Sequence, residues 1–445
     1  MRICPPITNG LGGASCGGRI VIGPNSLWHQ PRFLALWLGS FLSALADSAY
    51  FIVLAWFVLH LTHSPGDLGV ALLLASLPRL VFMAIGGVVI DWLSPRAILL
   101  ASLLLRAAIL FAISEYASHG LVQVLPVDIV ALMFGVIDAF YWPAQSAIVP
   151  FAVSSSHLAR ANAVIQTTQQ LSMVLGPLIG GLLLQIPQFS VIFAVIATTY
   201  LLGLIAIVRV QLRTVNGGTS RSQGLVAGLV QGIRYVLRLR IVLFLMMASM
   251  LINLFFMGPA NIGLPTFVQE HGWAGSIYGY FESALGLGAV VGGLAVGVLN
   301  GMRGHFRWIA LTASGVGVGL AATSLVRTWY LGIMTISISG LAISFTNIPM
   351  MTYVQTIVDE EMLGRVMSLL TLMSVGLTPV SYALSALAIH RHLLSPQALM
   401  FGGGSIVAIL CAALIFQRDF REMENHPRWH QAGLEKRSNG RETLL

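Results

Sequence analysis

Residues 189 to 209 read Phe189-Ser-Val-Ile-Phe-Ala-Val-Ile-Ala-Thr-Thr-Tyr200-Leu-Leu-Gly-Leu-Ile-Ala-Ile-Val-Arg209, with no charge before the final arginine. At about 1.5 Å per residue, a helix of roughly 20 residues crosses the roughly 30 Å hydrocarbon core of a bilayer. Bare peptide groups are too costly in hydrocarbon, so such a run crosses as a coil bonded to itself. Working outward, runs of this kind broken by Pro, Gly or charge recur along the chain. They cover 33–60, 67–90, 96–115, 122–148, 161–185 and 189–209, then 241–267, 274–299, 307–326, 329–350, 366–389 and 396–416. The expected fold is therefore an all-α integral membrane protein with twelve transmembrane helices.

Composition agrees. Hydrophobic residues make up 56% of the 445-residue chain and charged residues only 9%, against roughly a quarter charged in soluble domains. The 46 glycines suit close helix packing in lipid. A net charge of +8 would raise the question of nucleic acid in a soluble protein. Here the arginines fall between apolar runs, which speaks for topology and not for nucleic acid. Cys4, Cys16 and Cys411 show neither metal-ligand spacing nor a paired framework.

The most polar internal stretch, 210–240, carries Arg213, Arg221, Arg234, Arg238 and Arg240 just after Arg209, and is the natural domain boundary. Within it Leu225, Leu229, Ile233 and Val236 recur at helical spacing, the pattern of an interfacial amphipathic helix. The expected organisation is a disordered cytoplasmic tail (1–31), a six-helix bundle (32–210), a cytoplasmic linker (211–240), a second six-helix bundle (241–417) and a cytoplasmic tail (418–445). With both termini inside, the inner loops hold Arg96, Arg160, the six linker arginines, Arg303, Arg307 and Arg365, whereas the outer loops hold only Arg327 and Arg391. That is the positive-inside distribution. A weak repeat supports six plus six: Gly86-Gly87 recurs as Gly292-Gly293 and Asp47 as Asn253, each 206 residues on.

Several stretches carry a resemblance: Phe33 to Gly39, Ala46-Asp47, Leu61-Thr-His-Ser-Pro65, Pro78-Arg79, and Gly86-Gly87 with Asp91. In order and spacing, the chain from Pro31 to Phe416 resembles the major facilitator superfamily, in its drug and macrolide efflux branch that includes siderophore exporters. That resemblance implies two pseudo-symmetric six-helix bundles and export by alternating access. The superfamily's loop signature after the second helix stands here as Gly87, Asp91 and Arg96, with Trp92 where an arginine is usual. It implies that Asp91 meets the start of the eleventh helix, near Gly364 and Arg365, to hold the inner gate shut; exposed helix-start N–H groups favour a carboxylate. Gly176, Pro177, Gly180 and Gly181 resemble the exporter motif of the fifth helix. Physically, the proline removes a backbone donor and the glycines admit a close neighbour, so tight packing explains them equally well.

An ionisable residue inside a span costs about 2.5 to 3.5 kcal/mol on insertion scales and is a functional candidate by default. Asp47 lies about 21 Å along the first helix and Arg79 about 18 Å from the inner face of the second. Asp47 or Asp138 is the expected counter-charge of Arg79, either as a fixed pair pinning helices or as one that opens when a proton arrives. Glu282 is the lone acid of the eighth span, where a carboxyl can exchange protons with a carrier's cycle or sit wetted near the outer mouth. Arg106 and Asp128 are read as lying nearer span ends, satisfied by snorkelling. Tyr141, Trp142, Phe255, Phe256 and Met257 are read as core or lipid-facing in preference to cavity lining.

No Gly-rich loop ending in Lys-Ser or Lys-Thr speaks for direct use of ATP, and no His-Glu-x-x-His pair or nucleophile constellation speaks for an intramembrane enzyme. The reading is a proton-driven exporter of a drug, macrolide-like compound or siderophore. It needs no cofactor or metal and is expected to act as a monomer in the cytoplasmic membrane. An importer or a lipid flippase would use the same fold, and a receptor would need a large soluble domain.

Overall fold

The computed structural model describes residues 27, 30–92, 94–120, 123–154, 157–209, 225–299 and 306–417. The expected disordered tails lie outside these residues except for Leu27, Gln30 and Pro31, and the linker is described only from Leu225. Among the described residues every regular element is helical. The first half comprises α1 (Pro31–Thr62), α2 (Pro65–Trp92), α3 (Pro95–Ser118), α4 (Val124–Ala152), α5 (Leu158–Leu183) and α6 (Phe189–Val208). A short helix, α7 (Leu225–Arg238), leads into α8 (Arg240–Gly258), a π turn at Pro259–Gly263 and α9 (Leu264–Glu270). There follow α10 (Gly275–Val298), α11 (Phe306–Ser324), α12 (Trp329–Ile357), α13 (Glu360–Gly376), α14 (Thr378–His390) and α15 (Pro396–Ala413).

Helix starts follow local chemistry. Ser94 precedes Pro95 and Ser395 precedes Pro396, and each serine hydroxyl accepts from the backbone N–H three residues on, at 3.2 and 3.1 Å. Proline loses nothing there, because first-turn N–H groups have no helical acceptor. Two predicted spans are discontinuous. Pro259 lies at the π turn between α8 and α9, and Pro379 at the break between α13 and α14; a proline supplies no backbone donor to continue the ladder. The two breaks meet, since Ser381 Oγ accepts from the Gly258 N–H at 2.7 Å and donates to the Leu254 carbonyl.

Among the described residues, ten segments are long and apolar enough to cross a membrane, with Arg240–Glu270 and Glu361–His390 each counted once. Two more of the expected twelve are present as helices that fall short of that mark. α5 carries Gln166, Gln169 and Gln170, and α11 has its apolar stretch confined to Trp308–Ser324.

The repeat seen in the glycines runs through the whole fold. Moving each first-half helix 206 positions along the chain lands it, within a few residues, on α8–α9, α10, α11, α12, α13–α14 and α15 in turn. Packing partners repeat as well. α2 packs on α4 as α10 does on α12, and α3 on α6 as α11 does on α15. Between the halves, α5 packs on α10 and, by the same symmetry, α14 on α2. The result is two pseudo-symmetric bundles. α7 forms where the amphipathic pattern placed a helix: Val236 is buried against the second bundle while Arg234 and Arg238 are exposed.

Candidate functional site

Inside the first bundle, Asp47 of α1 and Asp138 of α4 converge on Arg106 of α3. Arg106 Nη1 donates to both oxygens of Asp47, at 2.8 and 3.0 Å. Its Nη2 donates to Asp138 Oδ1, and the Tyr200 hydroxyl of α6 donates to Asp47 Oδ1. The guanidinium also lies 4.5 Å from the ring centre of Tyr141, 5.6 Å from that of Tyr200 and 5.9 Å from that of Phe134. Aromatic faces attract a cation and take the place of water around it.

Arg106 has 0% side-chain exposure, whereas Asp47 keeps 23% and Asp138 25%. The cation is sealed in and the acids remain reachable. One arginine between two aspartates leaves a single negative charge uncompensated in a weakly polarisable medium, and removing charges from water is costly unless they balance. One proton on either carboxylate brings the cluster to zero.

Two sequence expectations are corrected here. The partner of the aspartates is Arg106, not Arg79, and Arg106 does not snorkel. It stands at the midpoint of the 24-residue α3, too deep for its side chain to reach either face. The signal was available in the distance from Pro95 to Ser118, which centres on residue 106. Arg79 instead lies 5.8 Å from the ring centre of Trp142. Glu282, on α10, makes no ion pair among the described residues. The tyrosines Tyr141 and Tyr200 carry part of the site, and residue type alone had marked Tyr141 as core.

The bundles meet around the α1–α2 turn. Gln269 Nε2 of α9 donates to the Leu59 carbonyl at 2.9 Å and lies 3.3 Å from His63 Nδ1. Gln185 Nε2 lies 3.5 Å from the Tyr280 hydroxyl. A Cβ on Gly275 would come within 2.6 Å of the Trp56 ring, and one on Gly181 within 2.9 Å of the Ser276 carbonyl oxygen. All these contacts lie at one end of the molecule, which they close.

The sequence model of the Major Facilitator Superfamily matches residues 36–381. The chain belongs to this superfamily. Members are transporters and not enzymes, so this is a multi-pass membrane transporter whose cargo is a small molecule. It is 25% identical over 370 residues to the multidrug efflux pump Tap of Mycobacterium tuberculosis, covering 80% of this chain and 86% of that protein. It is 24% identical to macrolide efflux protein A of Streptococcus pyogenes, over 86% of this chain and 95% of the relative. It is 23% identical to the enterobactin exporter EntS of Escherichia coli, over 88% and 94%. Among solved structures, the nucleoside transporter NupG superposes with a TM-score of 0.69 at 13% identity, covering 89% of this chain and 99% of that one. A D-xylose-proton symporter gives 0.63 at 14%, over 87% and 97%. These likenesses fix the fold.

The superfamily's loop signature is placed only in part. Gly87 and Asp91 have helical backbone in α2, and their side chains lie outside the described residues. Arg96 donates from Nη2 to the Val208 carbonyl at 2.6 Å, so it caps the last turn of α6, where a cation complements the helix dipole. Gly364 has open space where a side chain would stand, and Arg365 Nη1 lies 3.3 Å from Met362 Sδ. In the glycine motif of α5, Gly176 and Gly180 face Ser48 and Ala49 of α1, while Gly181 faces α10. Its observed geometry is close packing on both neighbours.

Proposed function

We propose that this transporter exports a small molecule across the cytoplasmic membrane in exchange for protons. The observation that carries this reading is the Asp47–Arg106–Asp138 cluster. It holds two water-reachable carboxylates on one sealed cation and changes its net charge by one when a proton enters. Asp47 is the leading coupling acid because it bonds to both Arg106 and Tyr200, so its protonation loosens contacts among α1, α3 and α6 together. Arg79 on α2 and Glu282 on α10, each without an ion pair among the described residues, are candidates for contact with cargo or a second proton.

Export is favoured by the likeness to the multidrug efflux pump Tap, macrolide efflux protein A and the enterobactin exporter EntS. With both termini cytoplasmic, as the arginine distribution supports, the closed end around the α1–α2 turn is the outer end. An exporter would load from the opposite, cytoplasmic end. Gly87, Asp91, Arg96, Gly364 and Arg365 would form the inner gate that shuts after loading. The functional units are residues 32–210 and 241–417, joined by 211–240, in a monomer.

Everted membrane vesicles test the reading. With an imposed proton gradient, wild-type protein should accumulate substrates drawn from a panel of drugs, macrolides and siderophores, and a protonophore should abolish the accumulation. Asp47→Asn should remove the gradient dependence. Accumulation by Asp47→Asn that still follows the gradient would return Asp47 to a structural role. An empty panel result would overturn export.

A further inference from the structure

The geometry points to a cargo site within the second bundle, for an uncharged amphiphile bearing hydrogen-bonding groups. A cavity of about 390 Å3 lies among α8, α11, α12, α13 and α15. Its wall carries Asn253, Asn347, Thr371 and Ser374 among methionine, phenylalanine and aliphatic side chains, with no charged residue among the described ones. That combination, an apolar lining with a few convergent polar groups and a volume of some hundreds of Å3, is how small-molecule sites are built.

The pseudo-symmetry says what this cavity replaces. Moved 206 positions along the chain, Asp47 falls on Asn253, Asp138 on Ser344, Tyr141 on Asn347 and Arg106 on Thr312. The first bundle fills this place with a guanidinium, two carboxylates and tyrosine rings. The second puts a short threonine where the arginine stood, and its hydroxyl is turned back on the Trp308 and Ile309 carbonyls. Ser344 is likewise engaged, donating to the Ala289 carbonyl at 2.6 Å. Of these counterparts, Asn253 and Asn347 stand in the cavity wall, where the first bundle has an acid and a phenol ring.

Polar atoms remain to serve a guest. Asn253 Nδ2 donates to the Ser249 carbonyl at 2.9 Å, which leaves its carbonyl oxygen available to a donor. The Asn347 amide and the Ser374 hydroxyl make no hydrogen bond among the described residues, so a guest can find a donor and an acceptor there. A cation would find no counter-charge among the described residues of the wall, which selects against it. Met257, Met350 and Met351 in the same wall are flexible and polarisable, suited to guests of varied outline. The two halves thus divide the labour, protons in the first and neutral cargo in the second.

This inference rests on the transport reading above, and it is tested by binding without any gradient. Purified full-length protein is dialysed to equilibrium against radiolabelled chloramphenicol and hydrocortisone, both uncharged, and tetraphenylphosphonium, a permanent cation. At least one uncharged probe should bind. Asn347→Leu and Ser374→Leu should each weaken it tenfold or more, in protein that remains monodisperse with an unchanged melting temperature. Absence of binding by both uncharged probes overturns the proposal. So does binding that survives both substitutions, or tetraphenylphosphonium binding that both substitutions abolish. Failure of the vesicle assay with probe binding intact would instead count against proton-driven export.

Discussion

Gln269 Nε2 sits 2.9 Å from the Leu59 carbonyl, so a single side chain of the second bundle is tied to the last turn of α1 in the first. Its second amide hydrogen faces His63 Nδ1 at 3.3 Å, and His63 is one of the few non-glycine residues with positive φ, at 50°. The tie therefore grips the left-handed residue that ends α1. Gln269→Leu removes both contacts from a half-buried site while preserving bulk. The expected outcome is a shift away from the closed end. Spin labels at exposed positions on the α1–α2 and α9–α10 turns should report a broader, longer distance distribution than in wild type. An unchanged distribution would mean that the helix packing alone holds this end.

Arg106 offers a sharper energetic expectation. Removing one partner of a buried charge group strands the others, at a cost of about 3 to 5 kcal/mol. Arg106→Met should thus lower the melting temperature markedly, because Asp47 and Asp138 would face each other with no cation between them. Adding Asp47→Asn and Asp138→Asn to Arg106→Met should recover most of the lost stability, since the charges leave together. Arg106→Lys should fall between, for an ammonium cannot fork to two carboxylates. Thermal unfolding of the purified variants in detergent decides it. A triple variant no more stable than Arg106→Met would show that the cluster's role is steric.

How far the sequence reaches can be judged from these residues. The spans were legible because the bilayer imposes length and apolarity on every crossing helix, so boundaries such as Phe189 and Pro396 follow from run length alone. The second-bundle partner of Asp47 was also legible as Asn253, because internal duplication preserves spacing. The pairing of Arg106 was not. A buried ion pair depends on the rotation of three helices about their axes, and hydropathy carries no phase when every face of a helix is apolar. For the same reason Tyr200, in the middle of the most uniformly apolar run, carried no sign that its hydroxyl would bond to Asp47. The helix breaks were half legible: Pro259 and Pro379 were visible, but Pro78, Pro143, Pro177 and Pro349 sit inside continuous helices. Which proline breaks its helix is set by the neighbours that satisfy the freed backbone groups.

Gly181 and Gly279 test whether the α5–α10 seam must be this close. A Cβ on Gly181 would stand 3.0 Å from the Gly279 Cα and 2.9 Å from a carbonyl oxygen, and the obstacles are backbone, which cannot rotate aside. Gly181→Val should therefore prop the closed end open without harming either bundle's own interior. The variant is expected to insert and purify normally while losing transport by tenfold or more. A disulfide engineered between the α5–α6 and α9–α10 turns, formed readily in wild type, should form slowly in Gly181→Val. Normal cross-linking in the variant would show that the seam has room to relax.

Ser381 holds the two broken helices together, and its removal has a predictable sign. Its hydroxyl accepts from the Gly258 N–H at 2.7 Å and passes its own proton to the Leu254 carbonyl at 2.5 Å. The Gly258 N–H directly precedes Pro259, at the point where α8 gives way to the π turn. In hydrocarbon no water can take over a stranded group, and an unsatisfied buried donor costs about 1 to 3 kcal/mol. Ser381→Ala should accordingly lower the melting temperature, and Ser381→Thr should recover most of the loss if the added methyl is accommodated. Because the site joins α8 to α14 and not one bundle to the other, Ser381→Ala should leave the distance between spin labels at the closed end unchanged. A variant that kept its stability but altered that distance would make Ser381 part of the gate and not a strut of the second bundle.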